Sequence, residues 1–235
     1  MCGRFTLTKD FEQMMAEYPS FSVLQKLAAR YNVAPSQPVI TVTAEHPTKM
    51  DLTQWGLVPS WAEDPSIGYR MINARAETLT QKPAWRRLFR RKRCILFADG
   101  FYEWKTFPGM KIKQPMYFRM KSGRAFAFAG LYDEWHDKEG GFLITSTIIT
   151  TTPNQLVQPV HDRMPAILPD RLIATWLDAE CDRTDELQAM LVPFPSREME
   201  VHPVSNKVNR PAYDEPDCIT PVESLRAPPS QGELF

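Results

Sequence analysis

The 235-residue sequence predicts an α+β fold, a β-rich and mostly antiparallel body with helices on its flanks. Three observations predict it. Four runs dense in aromatic and β-branched residues, CILFADGFYEWK, MYFRMK, AFAFAGLYDEW and FLITSTIITTT, crowd the middle of the chain. Turn chemistry separates them, at Pro108-Gly109, Ser122-Gly123 and Gly140-Gly141, so neighbours are expected to pair antiparallel rather than through β-α-β crossovers. Segments of helical periodicity lie on either side of that block.

Taken in order, a strand at the N-terminus is followed by Phe11, Met14 and Met15 at i, i+3 and i+4, which predict a helix. Residues 21–29 carry another apolar stripe and predict a second short helix before Tyr31. From Pro38 to about Trp55, VITVTAE, the turn-like HPTKMD and LTQWGL form a hairpin signal. Helices are expected again over 84–91, over 169–178, where Pro169-Asp170 suits a helix start, and over 184–191, where Leu187 and Met190 line an apolar face. After Asp217 the sequence becomes PVESLRAPPSQGELF, whose paired prolines and small polar residues predict an extended tail. The expected division is a folded domain over 1–217 and a flexible C-terminal tail over 218–235.

Charged residues make up 24% and hydrophobic residues 43%, as in a globular protein able to bury its own core. Lys and Arg number 28 against 28 Asp and Glu, so any nucleic-acid site must come from segregated charge rather than an overall basic balance. The four cysteines, at 2, 94, 181 and 218, form no C-x-x-C pair and have no histidine at zinc-finger spacing; neither a metal site nor a disulfide framework is expected. There is no phosphate-binding glycine loop, and no cofactor is called for. The first residues lack a signal-peptide core, and no run approaches the roughly 18 to 20 apolar residues of a membrane span. A cytoplasmic, nucleoid-associated location is expected.

Cys2 is the most informative position. Methionine aminopeptidases remove Met1 ahead of small second residues, leaving a thiol and a primary amine on neighbouring carbons. Such a 1,2-aminothiol traps aldehydes: the amine condenses to a Schiff base and the thiol closes a five-membered ring. The same free amine suits an N-terminal-nucleophile amidase, and a second-position cysteine without function is the plain alternative. A second group of polar residues sits in apolar or turn-rich company: Asn73 and Arg75 in INARAET, Asp99 and Glu103 in ADGFYEWK, and His161, Asp162 and Arg163 in PVHDRMP. Carboxylate with histidine equips a site for proton transfer, and Tyr102 and Trp104 beside Glu103 favour a raised pKa; a structural ion pair is the alternative. A third feature is the run Arg86, Arg87, Arg90, Arg91, Lys92 and Arg93, suited either to a phosphate backbone or to a solvated helix end. Trp55, Trp61, Trp85 and Trp104 are available to stack on unpaired bases or to fill the core. His46, His136 and His202 read as surface or packing residues.

MCGRF at the start, RYNVAPSQ at 30–37, WGLVPSWA at 55–62, INARAET at 72–78, RCILFADGFYEW at 93–104, TTTPNQLVQPVHDRMPAIL at 150–168 and HPVSNKVN at 202–209 together resemble the SOS response-associated peptidase (SRAP) family. The resemblance implies a barrel-like antiparallel core with flanking helices and a positively charged groove. It implies a lyase-like activity of single-turnover type: recognition of abasic sites in single-stranded DNA and covalent capture by Cys2 as a thiazolidine that shields the lesion during replication. Asn73 would hold the opened sugar and the N-terminal residue, Glu103 would move protons, and His161 would act on the sugar oxygens. Arg4, Arg75 and Arg163 would clamp phosphates, with Trp61 and Trp104 on the bases. The peptidase label fits self-removal of a leader, but only Met1 stands before Cys2 here.

Two other readings stay open: a non-covalent reader of modified or single-stranded DNA, and a thiol hydrolase acting on peptides or amides. Gln231-Gly232-Glu233-Leu234-Phe235 resembles the pentapeptide by which bacterial proteins bind the replication sliding clamp, with Gln231, Leu234 and Phe235 as its anchors.

Overall fold

Local chemistry starts the first helix where the periodicity places it. The Asp10 side chain accepts from the Gln13 backbone N–H at 2.9 Å, and the Gln13 side chain accepts from the Asp10 N–H at 3.1 Å, so helix Phe11–Glu17 opens on a reciprocal cap and buries Met14. The computed structural model describes residues 2–23 and 28–225.

Two sheets make the body. The smaller is antiparallel throughout, in the order Met199–Pro203, Gln114–Met120, Gly100–Lys105, Phe5–Leu7, Arg30–Val33. The larger runs Met164–Pro165, Phe142–Thr151, Phe126–His136, Arg93–Ala98, Pro38–Thr43, Lys49–Trp55, Ser22–Val23, and Asn73–Arg75 joins it parallel to Phe142–Thr151. Phe5, Phe101 and Phe118 from the smaller sheet share one core with Trp55, Leu96, Phe128 and Ile148 from the larger. Helices Pro83–Arg91 and Asp170–Leu177 cover the larger sheet's other face, burying Trp85, Leu88, Phe89 and Trp176 with Ile95 and Phe97. The α+β class, with a barrel-like β core and flanking helices, is thus the one the sequence and its resemblance imply. No helix among the described residues is long and apolar enough to cross a membrane.

Several elements differ from expectation. CILFADGFYEWK is two strands in different sheets, broken at Asp99. Asp99 is 6% exposed and accepts hydrogen bonds from Thr6 Oγ1 at 2.5 Å and from Thr8 N and Oγ1 at 2.6 Å, so the chain changes sheets at a satisfied buried carboxylate. Glycine follows because a Cβ at position 100 would lie 2.1 Å from the Tyr117 hydroxyl. Of the helix expected over 21–29, Ser22–Val23 instead pairs parallel with Lys49 and Met50, and residues 24–27 lie outside the described part. Residues 218–225, expected in the tail, are attached to the body: Cys218 is buried, Val222 N donates to Pro203 O and Leu225 N donates to the Gln114 side chain. Backbone donors there find acceptors along the smaller sheet, which composition alone does not reveal.

The basic run is only partly a surface. Arg93 is fully buried, and its guanidinium donates to the carbonyls of Phe89, Arg90, Trp176, Asp178 and Cys181. The first four are the carbonyl ends of helices Pro83–Arg91 and Asp170–Leu177, and Cys181 lies in the turn beyond the second, so one cation caps two helix dipoles. Lys92 pairs with Asp133 and Glu134 at 3.1 Å each. Trp55 and Trp85 are core residues, which removes them from the candidates for base stacking.

Candidate active site

The site assembles where the N-terminal segment crosses the ends of both sheets. Phe5–Leu7 is clamped between Arg30–Val33 and Gly100–Lys105, which fixes the residues just before it. Cys2 has no exposed surface. The Asn73 Nδ2 donates to the Cys2 carbonyl at 2.8 Å, tying the N-terminal residue to the larger sheet. The Asn73 Oδ1 is buried with no hydrogen-bond partner among the described residues, an open acceptor at the site.

Glu103 arrives from the smaller sheet on Gly100–Lys105, its side chain 3% exposed. Burial pushes its pKa from the ordinary 4.5 up to about 7. Burial, and after it the charge of Glu103, push the Cys2 thiol well above its ordinary range. His161 completes the group, with Nε2 3.9 Å from Glu103 Oε2. Its Nδ1 accepts the Arg163 backbone N–H at 3.0 Å, so the neutral ring carries its proton on Nε2, facing the carboxylate. Asp162 also lies 3.0 Å from Nδ1 and favours the cation. That carboxylate is 84% exposed and screened by water, and burial wins: the His161 pKa is lowered from the ordinary 6.5. Cys2, Asn73, Glu103 and His161, far apart in sequence, are therefore one constellation.

The expected DNA-contacting residues divide. Arg75 and Trp61 are exposed, Trp61 at 66%. Trp104 is half-buried, with Nε1 donating to Asn209 Oδ1 at 2.7 Å. Arg163 is 9% exposed and forms a fork-to-fork pair with Glu77 at 2.6 and 2.9 Å, its Nη2 also donating to Thr150 O, while its Nε is buried with no hydrogen-bond partner among the described residues. That pairing steadies the backbone that donates to His161. Arg4 is likewise engaged, with Nη1 donating to Asn32 Oδ1 at 2.7 Å and to Val208 O at 2.6 Å. Glu77 and Asn32 are the residues that sequence reasoning passes over, although both lie inside the quoted blocks. A polar side chain between Tyr31 and Val33, as Asn32 is in RYNVAPSQ, is the available signal. Gln231, Leu234 and Phe235 lie outside the described residues. Among the described residues no group of His, Cys, Asp or Glu is placed to hold a metal ion.

A buried cysteine at position 2, tied to an amide and grouped with a carboxylate and an imidazole, is an arrangement of residue types suited to nucleophilic chemistry. Comparison with known proteins places it further. The chain belongs to the SOS response associated peptidase (SRAP) family, whose model matches residues 1–211. It is 45% identical to the abasic site processing protein YoqW of Bacillus subtilis over 93% of this chain and 99% of that one. It is 37% identical to the abasic site processing protein HMCES of Gallus gallus, over 74% of this chain and 57% of that one. Among solved structures, a protein from Bacteroides thetaiotaomicron superposes with a TM-score of 0.85 at 26% identity, covering 94% of this chain and all of that one.

Proposed function

We propose that this protein senses abasic sites in single-stranded DNA and captures them covalently through Cys2 once Met1 is removed. The observation that carries the proposal is the convergence of Asn73, Glu103 and His161 on a cysteine next to the initiator methionine. Loss of Met1 turns the Cys2 backbone nitrogen into a primary amine beside the thiol. The amine adds to the aldehyde of the ring-opened deoxyribose, and departure of one water leaves an imine. The thiol then adds across the C=N bond, its proton passes to nitrogen, and a thiazolidine closes. One water leaves overall and nothing is oxidised. A thiazolidine lacks the imine that β-elimination needs, so the strand stays intact and the lesion is shielded.

Glu103, poised near 7, is able to accept and return protons at neutral pH. His161 offers an Nε2–H donor to the same space, suited to the sugar oxygens. Asn73, holding the Cys2 carbonyl, fixes the orientation of nitrogen and sulfur and keeps Oδ1 for the substrate. Electrostatics lean towards this reading over a thiol peptidase with a histidine-stabilised thiolate: burial and the Glu103 carboxylate raise the sulfur's pKa more than the opposing N-terminal amine lowers it, and burial lowers the pKa of the imidazole. The names of the relatives from Bacillus subtilis and Gallus gallus support abasic DNA as the substrate. Exposed Arg75 and Trp61, with the half-buried ring of Trp104, would follow the strand around the lesion. Contact with a sliding clamp through Gln231, Leu234 and Phe235 rests on the tail sequence alone; deleting the last five residues should abolish clamp binding in a pull-down, and unchanged binding would remove the idea.

The test uses two oligonucleotides on a denaturing gel, one with an abasic site and one with a tetrahydrofuran analogue that has no aldehyde. A retarded band with the first and none with the second is expected. Equal retardation, or none with either, would overturn the proposal.

A further inference from the structure

Arg4 stands two residues after the nucleophile, and its donors point inward. Besides Asn32 Oδ1 and Val208 O, its Nη2 donates to Asn209 O at 3.5 Å. Asn32 is fully buried and uses every polar atom it has. Its Oδ1 receives Arg4, while its Nδ2 donates to the carbonyls of Val208, Arg210 and Tyr213 at 3.2, 3.0 and 2.7 Å. Its backbone N–H, with that of Tyr31, donates to Asp214 Oδ1. Carbonyls 208 to 213 belong to a strap that crosses the end of the smaller sheet.

The same strap reaches the proton-transfer strand. Asn209 accepts from Trp104, the residue after Glu103, while the Tyr102 hydroxyl donates to Tyr31 O and the Tyr102 N–H donates to Arg4 O. One small network thus fixes the residues on both sides of Glu103 and the residue two positions after Cys2, and Asn32 is its centre.

We propose that Asn32 is a positioning residue for the nucleophile: by binding Arg4 on one side and three strap carbonyls on the other, it sets the N-terminal residue against Glu103. Arg4 is then a strut rather than a phosphate clamp. The inference rests on covalent capture by Cys2 as the function. An amide fits here because its oxygen accepts from the guanidinium while its two N–H groups serve three carbonyls, one hydrogen being shared between two of them. Asn32→Asp keeps the volume and the acceptor for Arg4 but sets a carboxylate oxygen against the three carbonyls, so the strap loosens.

The experiment measures the rate of covalent capture of an abasic single-stranded oligonucleotide against oligonucleotide concentration, for wild type, Asn32→Asp and Arg4→Lys. Wild type without a covalent product would refute the function itself, separately from this inference. If Asn32 positions the nucleophile, both variants lose between roughly tenfold and 100-fold in the rate at saturating oligonucleotide. The half-saturating concentration then stays within about twofold, and the salt dependence of binding is unchanged. A normal saturating rate in either folded variant would overturn the proposal, and so would a defect confined to half-saturation with a shallower salt dependence, the mark of a lost phosphate contact. Melting curves establish which variants fold; if Asn32→Asp does not, Arg4→Lys carries the decision.

Discussion

Replacing Glu103 by Gln should stabilise the folded chain at alkaline pH, and the amount follows from the site. In the fold burial holds the Glu103 carboxyl near 7, whereas an unfolded chain returns it to the ordinary 4.5. Between those two values the folded state binds a proton that the unfolded state has released, so the contribution of the carboxyl is fully present below 4.5 and is lost as pH rises through 7. At about 1.36 kcal/mol per pH unit, the interval amounts to about 3 kcal/mol. Gln keeps the shape and cannot ionise. Urea unfolding of wild type and Glu103→Gln at a series of pH values from 4.5 to 8.5 should show similar stabilities at the acid end and an advantage for the variant of about 3 kcal/mol at the alkaline end. The same variant should be slow in capture, because a group installed for function is carried at a cost in stability. A stability difference that stays flat with pH, or that favours wild type above pH 7, would refute the argument that burial governs this carboxyl.

Other consequences are open to the same methods. Arg93→Met should lower unfolding free energy by about 3 kcal/mol or more, because five carbonyls, four of them at helix ends, lose a charged donor inside the protein; a loss below about 1 kcal/mol would remove Arg93 as the double cap. Gly100→Ala should cost about 1 to 3 kcal/mol, since the new methyl meets the Tyr117 ring, and Tyr117→Phe in the same chain should not restore it, the ring carbons being almost as close as the hydroxyl. Arg75→Ala should weaken single-strand binding and reduce the slope of log affinity against log salt by about 0.7, one phosphate contact's worth.

Much of this was legible in the amino-acid order. Runs of alternating and aromatic residues marked the strands, and Phe11, Met14 and Met15 marked the first helix. The site was legible through resemblance, block by block; spacing alone offered Cys2 and scattered polar residues, because Asn73, Glu103 and His161 meet only when two sheets close on each other. What stayed hidden depends on partners distant in sequence. Arg93 reads as one more surface cation until helix Asp170–Leu177 brings its carbonyl end to it. The Glu77 partner of Arg163 cannot be read from spacing, and Asp99 reads as the middle of a strand until Thr6 and Thr8 satisfy it at the crossing between sheets.

The central claim is tested most directly by intact-mass spectrometry of the purified protein before and after incubation with a single-stranded oligonucleotide carrying one abasic site, alongside Cys2→Ala. The account predicts a wild-type mass lacking Met1, then a gain equal to the oligonucleotide less one water, and no stable gain of that mass in Cys2→Ala. A wild-type protein with a free N-terminal Cys2 and no added mass would contradict it.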